Sequence, residues 1–317
     1  MRVTVLGLGA IGGMLAAGFA AGGAEVSALV RGATLGALRR NGFTLRDGAA
    51  ERRFAIAASD DPAQLPPADV LLIGLKGQDL PGALPAIRML LAPGTRVLSA
   101  QNGVPWFFTH GLRGPLESAV LDSVDPGGAL AAALPLERVL AMVVHAAARV
   151  EAPGVVRLIK ADRLPVGPDD AVAAEGVTAL RAGGLPAEVS GHIRDEIWAK
   201  LWGNSNMNPL SALSRATLSD MLDDDGVRGL AVAMMREMDA VGQRAGLAPL
   251  DDPEARIAVT RRIGAFKTSM LQDLEAGRRL ELGPILGAVV EMAERLGEPA
   301  PVSRGVHGLV RLLERGL

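Results

Sequence analysis

The chain has 317 residues, 49% hydrophobic and 21% charged, with a formal net charge of −2. That length allows two ordinary domains, the composition excludes disorder, and no basic excess points to nucleic acid. Cysteine and tyrosine are absent, which removes disulfides, thiolate nucleophiles, Cys-ligated metals and the Tyr-Lys proton-delivery dyad of short-chain dehydrogenases.

Val3 to Leu6 reads as a strand and Ile11 to Ala21 as a helix, with Gly7-Leu8-Gly9-Ala10-Ile11-Gly12 between them. This G-x-G-x-x-G sits in the strand-turn-helix setting that a dinucleotide needs. Gly7 allows the tight turn, Gly9 lets the backbone approach a pyrophosphate, and Gly12 lets helix and strand pack closely. The pyrophosphate would rest on free N–H groups at the helix N-terminus. The uncharged run Val3 to Ala24 also has the look of a leader or a membrane span, but its seven glycines make a poor hydrophobic segment. A cytoplasmic protein with no membrane partner is expected.

Glu25 to Arg31 reads as the second strand. Its end selects the nucleotide. A carboxylate there would bond the ribose 2′-OH of NAD, whereas Arg31 can hold a 2′-phosphate with paired hydrogen bonds. NADP(H) is therefore the expected cofactor. Asp69 to Lys76 and Thr95 to Ala100 read as buried parallel strands, and Val139 to Val150 with Val155 to Ile159 as an antiparallel hairpin. Lys76 and Asn102 follow at strand ends, the edge of an open α/β sheet where ligands bind, so both are expected to face the cofactor.

After about Gly191 the strand signal stops. Helices are expected over Ile193 to Asn208, Asp224 to Ala245, Pro253 to Ala276, Pro284 to Leu296 and from Val302 onward. The fold class is thus an α/β Rossmann-type parallel-sheet domain, residues 1–190, followed by an all-α domain, residues 191–317. On the first of these helices Lys200, Asn204 and Asn208 recur at i, i+4, i+8 and share one face. Pro209 is expected to end or kink that helix. Trp198, Leu201 and Trp202 are expected to surround Lys200 with apolar groups, lowering the ammonium's pKa so that it can donate a proton near neutrality. Ser269 could fix a substrate carboxylate, and Glu281 could orient a lysine or a substrate hydroxyl. The four histidines show no metal-ligand spacing, and no metal is expected.

Together these motifs resemble the ketopantoate reductase family: Gly7-x-Gly9-x-x-Gly12, Arg31, Lys76-Gly77-Gln78, Gln101-Asn102-Gly103, Lys200-x-x-x-Asn204-x-x-x-Asn208-Pro209, then Ser269-Met270-Leu271-Gln272-Asp273 and Glu281. The resemblance implies NADPH-dependent reduction of a 2-oxo acid, with ketopantoate to pantoate as the specific reaction. It implies Lys200 as general acid and Glu281 as the group positioning it or a substrate hydroxyl. Asn204, Asn208 and Ser269 would hold the carbonyl, hydroxyl and carboxylate, while Lys76 and Asn102 would contact cofactor and substrate. The chain departs from the family pattern at Leu218, where some members carry a further asparagine, and in the apolar segment Val104 to Phe108. The sequence leaves open a cleft or a subunit interface for Trp106 to Phe108, and a homodimer as the assembly. It also leaves two other functions open, a β-hydroxy acid dehydrogenase and a non-catalytic NADP sensor.

Overall fold

The structure is a computed structural model describing residues 1–317. The chain divides into two compact units, one of residues 1–101 with 132–193, the other of residues 102–131 with 194–317. A single cut at 190/191 leaves out the excursion of residues 102–131 into the other unit. Residues 102–131 leave the sheet after its fifth parallel strand and pack with the helical residues, because their apolar side chains Val104, Phe108, Leu112, Leu116 and Leu121 belong to that core.

The first unit contains β1 (Arg2–Leu6), α1 (Ala10–Ala21), β2 (Glu25–Leu29), α2 (Gly32–Asn41), β3 (Phe43–Asp47), β4 (Ala50–Phe54), β5 (Ala57–Ser59), β6 (Val70–Ile73), α3 (Leu80–Leu90) and β7 (Arg96–Ser99). After the short α4 (Ala129–Ala133) come β8 (Val139–Met142), β9 (His145–Ala152), β10 (Val155–Gly167), α5 (Ala171–Ala182) and β11 (Ala187–Val189). Strands β5, β2, β1, β6, β7 and β8 run parallel in that spatial order. Their continuous apolar runs reflect burial on both faces: β6 and β8 are buried at every position.

Three expectations change here. The run expected as one strand, Val139 to Val150, is two: β8 joins the parallel sheet beside β7, and β9 forms the hairpin with β10. Continuous apolarity marks burial but not where a strand changes partners. Second, Arg31 lies beyond β2, which ends at Leu29. Third, Lys76 lies three residues past β6, at the start of a 3₁₀ turn, and Asn102 lies three past β7 in the other unit. The α2 and α5 helices and the β3–β4 hairpin, with its charged outer strand, had no distinct pattern in the sequence.

The second unit is helical: α6 (Ile193–Ser214), α7 (Leu218–Asp223), α8 (Asp225–Arg244), α9 (Pro253–Arg261), α10 (Ser269–Glu275), α11 (Ala288–Leu296), preceded by a π-helical turn over Gly283–Gly287, and α12 (Pro301–Glu314). Pro209 does not end α6. The ring removes one backbone hydrogen bond, but Leu210, Ser211 and Ala212 beyond it are buried, and that packing carries the helix to Ser214. The expected helix Pro253 to Ala276 is broken. Gly264 takes φ +78° between α9 and α10, and Thr268 caps α10 by accepting from the Leu271 N–H at 3.2 Å. No helix is long and apolar enough to cross a membrane.

Candidate active site

The glycine turn connects β1 to α1 in the first unit. Gly7 has φ +94°, a left-handed conformation that other residues rarely adopt. A Cβ on Gly12 would stand 2.1 Å from the Gly7 carbonyl oxygen, so only glycine lets the helix start this close to the strand. Gly9 differs: a Cβ there would meet nothing within 4 Å, and the residue is exposed at the N-cap of α1 with no side chain capping it. Leu8 is buried, whereas Ala10 and Ile11 are partly exposed. The first-turn N–H groups have no intrahelical acceptors, and the turn carries no carboxylate to compete for an anion. The residues present therefore fit a pyrophosphate.

Sequence reasoning missed a fourth glycine of this cradle. Gly74, directly after β6, approaches so closely that a Cβ would lie 2.7 Å from the Gly7 oxygen and 2.8 Å from the Gly12 Cα. The interruption of the apolar run Val-Leu-Leu-Ile by glycine was its only signal. Arg31 is exposed at the N-cap of α2, and Lys76 is half-buried at the start of its 3₁₀ turn. No carboxylate stands between the end of β2 and α2 to repel a 2′-phosphate.

In the second unit α6 carries the polar face that its spacing promised. Lys200 and Asn204 are half-buried, and Asn208 is buried at 5% exposure. Packed protein around Lys200 strips water from the ammonium and lowers its pKa from 10.5 to about 8, while the negative charge of Glu281 opposes that fall. Trp198 and Trp202 lie on the opposite side of α6, where Trp198 stacks on Phe108 at 5.8 Å and the Trp202 indole N–H donates to the Met235 carbonyl at 2.9 Å. Both tie α6 into the core of the helical unit. This also assigns the Val104 to Phe108 segment. Trp106 and Phe108 are buried within the helical unit, and Phe108 belongs to its core.

Asn102 meets Asn204 across 102 residues of sequence: the Asn204 amide donates to the Asn102 side-chain oxygen at 2.9 Å. The two residues after Asn102 hold it in place. Gly103, at φ +82°, brings the chain so near Pro284 that a Cβ would lie 2.5 Å from its carbonyl oxygen, and the Val104 N–H donates to that oxygen at 2.8 Å. Pro284 lies in the π-helical turn that begins two residues after Glu281, so one piece of backbone braces both Asn102 and Glu281. Such π turns recur at functional sites. Glu281 is half-buried just before that turn, and Ser269 is exposed in the first turn of α10. No group of three His, Cys, Asp or Glu side chains converges as a metal site.

A parallel sheet with a glycine cradle at one strand end, joined to a helical unit holding a desolvated lysine beside asparagines, defines an oxidoreductase of the Rossmann class. Comparison with known proteins narrows this. The profile of the ketopantoate reductase PanE/ApbA family matches residues 3–170, and that of its C-terminal domain matches residues 192–314. A 2-dehydropantoate 2-reductase from Mesorhizobium japonicum is 41% identical over 100% of this chain and 99% of its own. Among solved structures, a candidate ketopantoate reductase from Ralstonia solanacearum MolK2 is 39% identical with a TM-score of 0.94, covering 99% of this chain and 98% of that one. The 2-dehydropantoate 2-reductase of Methylococcus capsulatus is 26% identical with a TM-score of 0.85, covering 99% and 97%. The chain belongs to the ketopantoate reductase family.

Proposed function

We propose that this protein reduces a 2-oxo acid to the 2-hydroxy acid with NADPH, and that its substrate is 2-dehydropantoate, giving pantoate. The observation that carries the reading is Lys200: an ammonium whose pKa is lowered to about 8, facing Glu281 and in line with Asn204 and Asn208. NADPH supplies the hydride that reaches the ketone carbon. Lys200 delivers the proton to the ketone oxygen as charge builds there. A donor with pKa near 8 is still mostly protonated at neutral pH and is a much stronger acid than an ordinary lysine. Glu281 keeps the ammonium charged against the desolvation around it. Asn204, fixed by Asn102, directs an amide toward the carbonyl or an adjacent hydroxyl, and Asn208 and Ser269 supply further donors.

In the first unit Gly7, Leu8, Gly9, Ala10, Ile11 and Gly12 form the pyrophosphate turn, supported by Gly74. Arg31 holds the 2′-phosphate, and Lys76 and Asn102 contact the nucleotide. An intact Lys200 and Glu281 favour turnover over nucleotide sensing, since a sensor needs neither. The test is NADPH absorbance decay with purified protein and a panel of 2-oxo acids. Ketopantoate should be the fastest substrate. Tight NADPH binding with no turnover of any member would overturn the reading.

A further inference from the structure

Glu281 sits on a stretch whose shape no regular element fixes. Residues 276–281 join α10 to the π-helical turn and belong to no helix or strand. Such a backbone has no ladder to satisfy its N–H groups or to hold its side chains in one direction. Contacts from elsewhere hold it instead. The Arg278 N–H donates to the Asp273 carbonyl at 2.9 Å, and the Glu281 carbonyl accepts from the Ile285 N–H at 3.3 Å. Leu280 and Leu282, on either side of Glu281, are buried at 4% exposure each. The Leu280 N–H goes to a side chain of another helix: it donates at 2.9 Å to Oε1 of Glu314, the residue that ends α12.

Nothing in α12 itself favours a glutamate there. The C-terminus of a helix is the negative end of its dipole and disfavours an acidic side chain. Ordering so long a side chain also costs rotamer freedom. What the half-buried carboxylate gains is a backbone donor 34 residues away, on the residue directly before Glu281. Two rigid peptide planes are then pinned, one before Leu280 and one after Glu281, and the Cα–Cβ direction of Glu281 is set between them. That direction matters because the charge acting on Lys200 is that of Glu281. A carboxylate that swings away loses its hold through distance and through the water that enters.

We propose that Glu314 is a positioning residue of the reaction: by holding the Leu280 N–H it turns the Glu281 carboxylate toward Lys200. This rests on the reductase reading above and adds to it a residue on a separate helix.

The test follows Lys200 itself. The lysines of the chain are Lys76, Lys160, Lys200 and Lys267, so carbon-13 at lysine Cε gives a spectrum simple enough to titrate by NMR, and Lys200→Met assigns the signal. Wild type should titrate at about 8. Two substitutions separate the hydrogen bond from the charge. Glu314→Gln removes the charge but keeps an oxygen for the Leu280 N–H, and its Lys200 signal should stay within about 0.2 pH unit of wild type. Glu314→Asp keeps the charge but is one methylene too short to reach. Its signal should move to lower pH by at least about half a pH unit, and the alkaline limb of kcat/KM with it. An unmoved signal in Glu314→Asp overturns the proposal. So does a movement in Glu314→Gln at least as large, which would make the effect one of charge.

A merely structural role is checked at the other end of α12, where Glu237 accepts from the Val302 and Ser303 N–H groups at 2.9 and 2.8 Å. Glu237→Ala should lower Tm at least as much as Glu314→Asp yet leave the Lys200 signal in place. An equal movement there would mean general loosening of α12 and overturn the proposal. Should Glu314→Asp not fold, Glu314→Ala, the better helix former, is read in its place. The titration needs no substrate: if wild type reduces no 2-oxo acid the reductase reading fails, and the Lys200 signal still decides this one.

Discussion

Replacing Lys200 by methionine should lower activity and raise stability together. The folded protein holds this ammonium at a pKa of about 8 against an ordinary 10.5, so the unfolded chain binds its proton more tightly. A pKa difference of one between the two states corresponds to about 1.4 kcal/mol, and the charged lysine therefore costs the native state about 3 kcal/mol at pH 7. The sign follows from proton binding. The cost is full below the folded pKa, shrinks as pH rises from about 8 toward 10.5, and is gone above that. Methionine fills a similar volume without the charge. In urea melts Lys200→Met should exceed wild type by roughly 3 kcal/mol at pH 7 and by under about 1 kcal/mol at pH 10. Turnover of the best 2-oxo acid should fall by about 10²–10⁴, the range for a lost general acid. A variant less stable than wild type at pH 7, or equally favoured at both pH values, would refute the claim that packing desolvates this ammonium.

The same geometry sets four further expectations. In the wild type kcat/KM should hold below about pH 8 and fall tenfold for each pH unit above it, because Lys200 in the proposed role of general acid acts only when protonated. Glu281→Gln removes the charge that opposes desolvation and should move this limb to lower pH by about one pH unit; a limb that stays or rises excludes Glu281 as the counter-charge. Arg31→Asp should turn the nucleotide preference from NADPH toward NADH, measured as the ratio of kcat/KM values, and an unchanged ratio removes Arg31 from the 2′-phosphate site. Gly74→Ala places a Cβ 2.7 Å from the Gly7 oxygen and 2.8 Å from the Gly12 Cα, so NADPH affinity should fall by at least about tenfold in a fluorescence titration. Unaltered affinity would show that the cradle does not depend on this approach.

Much of the candidate site could be read from spacing because its chemistry is local. Gly7 to Gly12 span one turn, and Lys200, Asn204 and Asn208 lie on one helix, where a period of about 3.6 residues decides the face. The same rule, applied strictly, would have set Trp198 and Trp202 opposite Lys200, where the structure has them. Element ends were less legible. Pro209 is a strong helix breaker in isolation, yet it sits inside α6 because the buried residues after it outweigh one missing hydrogen bond. Nothing local marks residues 102–131 as belonging to the helical core, since an apolar side chain carries no address for the core it joins.

The sequence by itself determined the framework: a parallel sheet begun by a glycine turn, an arginine after the second strand, and a helix bearing a lysine with two asparagines. Periodicity and turn chemistry act within a few residues and need no knowledge of the rest of the chain. Tertiary structure alone decided what those groups experience. The Asn102–Asn204 hydrogen bond, the charge of Glu281 on Lys200, the approach of Gly74 to the glycine turn and the hold of Glu314 on the Leu280 N–H all join residues distant in sequence. A pKa near 8 is set by how much water the surrounding packing removes and which charges it brings near, and both are properties of the folded chain.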